Sequence, residues 1–177
     1  RVGDQIAEAI LLHEPGATKG VALERAARLL EMVGLDRSIL RRYPHELSGG
    51  QRQRALIAMA LALNPKLLIA DEPTTALDVI VQAQILKLLK RLQEELGLSI
   101  LFISHDIAIV ANVSDKVAVM YAGKLVEYGR AEDVLLKPQH PYTRALIEAT
   151  PSVRGAKRSF RYIPGYPPDL LNPPPGC

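Results

Sequence analysis

Two short apolar runs, separated by a long amphipathic segment, constrain the fold of this chain more than any other feature. Residues 67–70 (LLIA) and 100–103 (ILFI) are continuous hydrophobic runs bounded by polar residues, which is typical of parallel strands covered on both faces. Residues 81–96 repeat apolar side chains at helical spacing, with Asp78 as a candidate N-cap and Gly97 at the end. The pattern predicts a βαβ unit in an α/β fold.

The segments on either side of this unit predict further elements. Residues 1–46 carry helical periodicity and predict a helical subdomain. Residues 51–63 are apolar on all sides after two arginines, so we expect a buried helix that Asn64-Pro65 ends. After a short helix at 107–113, two apolar stretches around Ala122-Gly123 predict a hairpin, formed by residues 117–121 and 125–128.

Composition narrows the class of protein. With 177 residues and 48% hydrophobic content, the chain is long enough for a folded domain with its own core. The longest apolar run, residues 55–63, is too short to cross a bilayer. Residues 1–5 (RVGDQ) are expected to lead into an amphipathic helix and do not resemble a secretory signal. The net charge of +3 is mild and the basic clusters lack aromatic interleaving, so no nucleic-acid partner is expected. The chain starts without methionine, which suggests a fragment, and the single Cys177 agrees with a reducing compartment.

Two consecutive glycines stand inside what has the form of a helix capping box. Ser48 and Gln51 supply the box, while Gly49 and Gly50 lie between them at a cost of ~1 kcal/mol each relative to alanine. A backbone without Cβ atoms at a helix N-terminus allows an anion such as phosphate to approach closely. The simpler alternative is a flexible turn before a buried helix.

Polar residues follow both predicted strands at their carboxyl ends. Asp71-Glu72 follows the first strand and Ser104-His105-Asp106 follows the second, and ligands of open α/β sheets bind at such ends. Carboxylates and a histidine are residue types that can bind Mg²⁺, orient water and contact a γ-phosphate. As alternatives, Asp71 caps a turn before Pro73 and His105 is a structural hydrogen-bonding residue.

Four segments resemble motifs of ABC-transporter ATPases, in the order in which that family has them. Residues 47–54 (LSGGQRQR) resemble the signature motif, residues 68–73 (LIADEP) the Walker B motif and residues 76–78 (ALD) the D-loop. His105 resembles the switch histidine. The resemblance covers residues 1 to about 150 and implies an α/β, P-loop NTPase-like nucleotide-binding domain. Within it, residues 1–63 form the helical subdomain with the signature helix, and residues 64–150 form the Walker B and switch-histidine part.

The same resemblance implies a role for each site residue, with ATP and Mg²⁺ as cofactors. Glu72 and His105 are the predicted catalytic residues, acting on the attacking water and on the γ-phosphate. Asp71 is expected to hold Mg²⁺ through water. The remaining residues predicted to bind the nucleotide are Ser48, Gly49, Gly50, Gln51 and Asp78.

A phosphate-binding loop is missing from the sequence. Its pattern of glycine, four residues, then Gly-Lys-Ser/Thr occurs nowhere, and the only Gly-Lys pair, Gly123-Lys124, precedes a leucine. The chain therefore resembles the rear portion of a nucleotide-binding domain, and this fragment is expected not to hydrolyse ATP alone. In the family, the signature motif would act on nucleotide held by a partner subunit, whereas Asp71, Glu72 and His105 would act on nucleotide held by their own subunit.

The C-terminal segments resemble those of dipeptide, oligopeptide and nickel importer ATPases. They comprise residues 139–146 (QHPYTRAL), residues 163–165 (IPG) and the final Gly176-Cys177. We interpret residues 151–177 as a proline-rich extension of that type, although an ordinary docking helix with a proline-rich tail is the simpler alternative. Relatives have a cysteine-rich segment able to bind an iron–sulfur cluster at this point, but Cys177 alone does not define one.

The leading hypothesis is an ATPase subunit that energises the import of peptides, nickel or related solutes. Expected partners are a second ATPase subunit, identical or different, membrane-spanning permease subunits and, indirectly, an extracytoplasmic solute-binding protein. The expected location is peripheral, on the cytoplasmic face of the bacterial inner membrane. One alternative is a soluble ABC ATPase of DNA repair or translation; another is a non-catalytic partner-binding module without a P-loop.

Overall fold

The computed structural model describes residues 1–150, 163 and 168–171. The chain divides into two compact units, Arg1–Ile103 and Ser104–Cys177. The predicted extension at 151–177, with Cys177, lies almost entirely outside the described residues. None of the helices in the part of the chain that the structure describes is long and apolar enough to span a bilayer.

The first unit begins with helices, as predicted. Gly34 ends the second helix with a positive φ of 76°, and the N–H of Leu35 donates to the carbonyl of Leu30. Side chains from three helices meet in the core, where Ile6, Ile10, Leu30, Ile85 and Leu92 are fully buried. The elements before the sheet are α1 (Val2–His13), α2 (Lys19–Met32), 3-10 helices at Arg37–Arg41 and Pro44–Glu46, and α3 (Gly49–Ala60).

The predicted βαβ unit is confirmed. It consists of β1 (Leu67–Asp71), α4 (Val79–Leu96) and β2 (Ser99–Ile103). The strands are parallel, with Leu67 opposite Ser99 and Asp71 opposite Ile103. Asp78 caps α4, since its Oδ1 accepts from the N–H groups of Ile80 (3.0 Å) and Val81 (2.9 Å), and Gly97 ends the helix in the left-handed conformation.

Two burial predictions are wrong. The strands are covered on one face only: Leu68 and Ala70 are buried, whereas Ile69 is 61% exposed and Leu101 50% exposed. Successive strand residues point to opposite faces, and only one face packs on the helices of this unit. Helix α3 also has an open side, with Leu56 52% exposed, although its continuous apolar sequence predicted burial all round.

The second unit contains the predicted short helix and hairpin. Ala122 (φ 49°) and Gly123 (φ 75°) both have positive φ, as a two-residue hairpin turn of type I′ requires. The pairing shifts register between Val119 and Met120. The elements are α5 (Ile107–Val113), β3 (Lys116–Tyr121), β4 (Lys124–Arg130), α6 (Ala131–Leu136) and α7 (Pro141–Ala149).

A carboxylate on the hairpin holds the start of α7. Glu127 of β4 accepts from the backbone N–H of Gln139 (2.8 Å) and of His140 (3.1 Å). Burial raises the pKa of Glu127, but the N–H of Gln139, the hydroxyl of Thr143, and the N–H and charge of His140 together outweigh it, so that the pKa lies below the ordinary value. The Thr143 contact is weak, because its buried hydroxyl has no regular hydrogen bond within the described residues.

This lowered pKa predicts how the second unit responds to acid. The carboxylate stabilises the folded unit above the ordinary glutamate pKa, and this stabilisation is lost as the pH falls through the lowered value. We expect Glu127→Gln to be less stable than wild type at about pH 7, with the difference shrinking towards about pH 3. The amide resonances of Gln139 and His140 report the transition, with the exposed Glu132→Gln as control. A constant difference across this range would contradict the prediction.

Candidate functional site

The predicted capping box at the start of α3 is confirmed. The N–H of Gln51 donates to Ser48 Oγ (3.3 Å), and the N–H of Ser48 donates to Gln51 Oε1 (3.1 Å). Among the described residues, none accepts a hydrogen bond from the N–H of Gly49 or Gly50. Ser48 is exposed and both glycines are half-buried, so the helix tip, residues 48–51, is open to solvent and retains the positive end of the helix dipole.

The two glycines have a packing role that the sequence did not predict. A Cβ at Gly50 would lie 2.6 Å from Val81 Cγ1, and one at Gly49 would lie 3.1 Å from Leu77 Cδ2. The first turn of α3 therefore packs closely against the start of α4 and the residue before its N-cap. Close approach of two helices explains the absence of Cβ atoms on this side, so the glycines alone do not require an anion.

The acidic pair lies at the carboxyl end of β1, as predicted. Asp71 is the last residue of the strand and is exposed. Glu72 follows with a φ of 46°, a left-handed conformation that costs a non-glycine residue ~1–3 kcal/mol and that often marks functional sites. Its N–H donates to the carbonyl of Ile103 (3.0 Å), which ties it to the end of β2.

The loop from Glu72 to Asp78, the acid loop, is held by side chains as well as by its backbone. Thr75 donates to Glu72 twice, from its N–H to the backbone carbonyl (3.1 Å) and from Oγ1 to the carboxylate Oε2 (2.7 Å). Gln82 Nε2 reaches back from α4 to the carbonyls of Thr74 (3.2 Å) and Leu77 (3.1 Å). The acid loop is thus braced at both ends, and at Leu77 it also contacts the helix tip.

The remaining candidates are placed differently. His105 is exposed and lies in the second unit, next to Asp106, which caps α5 by accepting from the N–H of Ala108 (2.9 Å) and of Ile109 (3.3 Å). Glu72 belongs to the first unit and His105 to the second. That both serve one site therefore stays a prediction. Asp78 lies at the end of the acid loop, where its Oδ1 serves as the cap of α4.

Of the two residues predicted to bind metal, the structure describes Asp71 and not Cys177. Within residues 1–150, 163 and 168–171, no three histidine, cysteine, aspartate or glutamate side chains form a metal-binding group. Asp71 offers one exposed carboxylate, an oxygen donor that suits Mg²⁺ when water and phosphate oxygens complete the shell. The iron–sulfur prediction rests on Cys177, which is outside the described residues.

Sequence reasoning missed Thr75 and Gln82. A threonine three residues after a glutamate in a turn is a recognisable signal, because short hydroxyl side chains bond to nearby groups in turns. Gln82 carries no comparable signal, since its contact with the acid loop depends on where the first turn of α4 lies.

The structure defines a class of protein, namely α/β proteins that bind ligands at the carboxyl ends of parallel strands. The features that define it are the βαβ unit, the acidic pair beyond a strand end and the open helix tip beside that pair.

Two family models match the chain. The model for "ABC transporter" matches residues 3–75, and the model for "Oligopeptide/dipeptide transporter, C-terminal region" matches residues 126–177. Together they match more than half of the chain.

Curated relatives and solved structures agree with both models. The chain is 53% identical to the dipeptide transport ATP-binding protein DppD of Lactococcus lactis, over 99% of its own length and 51% of that protein. It is 54% identical to the oligopeptide transport ATP-binding protein OppD of Bacillus subtilis, over 99% of its own length and 50% of the relative. The chain thus spans about half the length of these relatives.

Among solved structures, cbiO1 from Clostridium perfringens, part of the ABC transporter complex cbiONQ, superposes with a TM-score of 0.66 at 32% identity. That match covers 77% of this chain and 53% of the other. The dimeric bacterial ABC transporter cassette MJ0796 superposes with a TM-score of 0.64 at 32% identity, over 73% of this chain and 56% of the other. The chain belongs to the ABC transporter family of ATP-binding proteins, and its fold is that of their nucleotide-binding domains.

The close packing of Gly50 in the helix tip against Val81 leads to a prediction about stability. We expect Gly50→Ala to lower the free energy of unfolding by ~1–3 kcal/mol, because the new methyl group overlaps the side chain of Val81. On a Val81→Ala background the same change should be neutral or stabilising, since the space is vacated and alanine is the better helix former by ~1 kcal/mol.

Urea unfolding of the wild type, the two single variants and the double variant measures this coupling. Gly20 is the matched control, because it also occupies the second position of a helix but has no atom within 4 Å of its Cβ position. Gly20→Ala should therefore not destabilise. Equal losses for Gly50→Ala with and without Val81 would refute the packing explanation.

Proposed function

We propose that this chain supplies part of the ATP-binding and ATP-hydrolysing subunit that powers peptide import through an ABC transporter. The observation that carries the proposal is the arrangement at the end of β1. Asp71 is exposed there, Glu72 is held in a strained turn, and the acid loop packs against an open helix tip. The peptide as solute class rests on the relatives' names and on the family match at residues 126–177.

The helix tip is suited to phosphate. The N–H groups of Gly49 and Gly50 point out of the first turn of α3, where the dipole of a twelve-residue helix is positive. In the proposed role, Ser48, Gly49, Gly50 and Gln51 contact the phosphates of an ATP molecule held mainly by a second ATPase subunit. The packing of the glycines on α4 supports this role, because it fixes the direction in which the N–H groups point.

The strand-end residues are suited to hydrolysis of the γ-phosphate. Mg²⁺, when bound with ATP, neutralises developing phosphate charge. Asp71 would hold that ion through water. Glu72 would orient and deprotonate the attacking water, and His105 would hydrogen-bond the γ-phosphate. Asp78 would contribute at the contact with the second subunit.

The proposed partners follow from the transporter assignment. They are a second ATPase subunit, membrane-spanning permease subunits, and indirectly a solute-binding protein outside the membrane. The chain itself would lie peripherally on the cytoplasmic face of the bacterial inner membrane. Support comes from relatives named as transport ATP-binding proteins and from a related cassette described as dimeric.

The water-activating role of Glu72 can be tested in a hybrid subunit, in which residues 1–177 replace the aligned segment of the Bacillus subtilis relative. We expect Glu72→Gln to bind ATP normally and to lower kcat by about 100-fold or more, because glutamine cannot accept the proton from water. Single-turnover ATP hydrolysis is the measurement, with the exposed Glu94→Gln on α4 as control.

Normal turnover by Glu72→Gln would remove Glu72 from this role. A hybrid that binds the permease partners but neither binds nor hydrolyses ATP would favour the non-catalytic binding module instead.

His105 is tested in the same hybrid. Loss of a hydrogen-bond donor to the γ-phosphate should lower kcat by about 100-fold in His105→Ala. The exposed His13 of α1 is the matched control, and His13→Ala should retain wild-type turnover. If both variants hydrolyse ATP at the wild-type rate, His105 is a structural residue.

A further inference from the structure

We propose that Thr75 is a positioning residue for hydrolysis: its hydroxyl holds the carboxylate of Glu72 in the orientation that activates water. The inference rests on the proposed function, because it concerns the residue assigned there to the attacking water. It is carried by the hydrogen bond from Thr75 Oγ1 to Glu72 Oε2, at 2.7 Å.

The bond joins two parts of one short turn. The N–H of Thr75 also donates to the backbone carbonyl of Glu72 (3.1 Å), so Thr75 contacts both the main chain and the side chain of the same residue. Because threonine is branched at Cβ, its χ1 angle has few accessible values. One of these values directs the hydroxyl at the carboxylate, as in the 2.7 Å bond from Oγ1 to Oε2.

The backbone of Glu72 makes such a hold useful. Its φ of 46° is left-handed, and the bond from its N–H to the carbonyl of Ile103 fixes the main chain there. A glutamate side chain still has three rotatable bonds and would sample several rotamers. A hydrogen-bond donor to one carboxylate oxygen, here Thr75 Oγ1 to Oε2, favours the rotamers that keep this bond.

The base of the turn is rigid enough to transmit this effect. Pro73 and Thr74 are buried, and Gln82 binds the carbonyls of Thr74 and Leu77. Thr75 itself is exposed, so its hydroxyl contributes little to global stability. The proposed effect of the hydroxyl is therefore to orient the carboxylate of Glu72. A carboxylate that is oriented beforehand needs less reorganisation when the water reacts.

The test uses two substitutions at Thr75 in the hybrid subunit. Thr75→Val keeps the size and branching but removes the hydroxyl, whereas Thr75→Ser keeps the hydroxyl. We expect Thr75→Val to lower kcat about tenfold with an unchanged KM for ATP, because the hydroxyl contacts the carboxylate of Glu72 and has no proposed role in binding ATP. Thr75→Ser should restore most of kcat.

A double-mutant cycle adds a readout that a merely structural role would not move. If Thr75 acts through Glu72, the Glu72→Gln/Thr75→Val variant should hydrolyse ATP no more slowly than Glu72→Gln alone. Additive losses would overturn the inference. Thermal unfolding of the hybrid subunit that carries Thr75→Val checks that the variant still folds.

The outcomes separate this inference from the proposed function. If Glu72→Gln retains normal turnover, the role of Glu72 fails and the role of Thr75 fails with it. If Glu72→Gln is slow but Thr75→Val matches wild type, only the positioning role fails. A higher kcat in Thr75→Val would also overturn it, because the bond would then hold Glu72 in an unproductive orientation.

Discussion

The parallel pairing of β1 and β2 is the constraint on which the rest of the first unit depends. Asp71 and Ile103 are partners at the last position of the ladder, so both strands end together. The N–H of the next residue, Glu72, then donates to the carbonyl of Ile103, and the chain turns there because Glu72 has a left-handed φ. An acidic side chain is thereby placed at the edge where α/β folds bind ligands, at the expense of local strain.

The acid loop and the helix tip form one structure rather than two separate motifs. Leu77 and Val81 occupy the space that Cβ atoms at Gly49 and Gly50 would need, while Gln82 holds the loop from the same side. The glycines therefore face α4 on one side of the turn, whereas the helix tip, residues 48–51, is open to solvent. The packing is compatible with the proposed binding of phosphate, because the two would involve different sides of the turn.

Periodicity and capping signals were enough to predict most elements of the fold. The caps at Ser48 and Asp78, the helix end at Gly34 and the hairpin turn at Ala122-Gly123 all depend on interactions within a few residues. Burial was predicted less well. Ile69 and Leu101 are exposed because the sequence shows how apolar a strand is, but not which of its two faces other elements cover.

The sequence by itself determined which chemical groups this protein has and where along the chain the helices and strands carry them, because propensity, periodicity and capping act over short distances. Only the tertiary structure decided that Gly50 packs on Val81, that Glu72 bonds to Ile103, and that Gln82 braces the acid loop. Gly50 and Val81 are far apart in sequence and meet only when α3 packs against α4. Glu72 and Ile103 meet only when the crossover helix brings the two strands side by side. Gln82 meets the acid loop only once the first turn of that helix is in place.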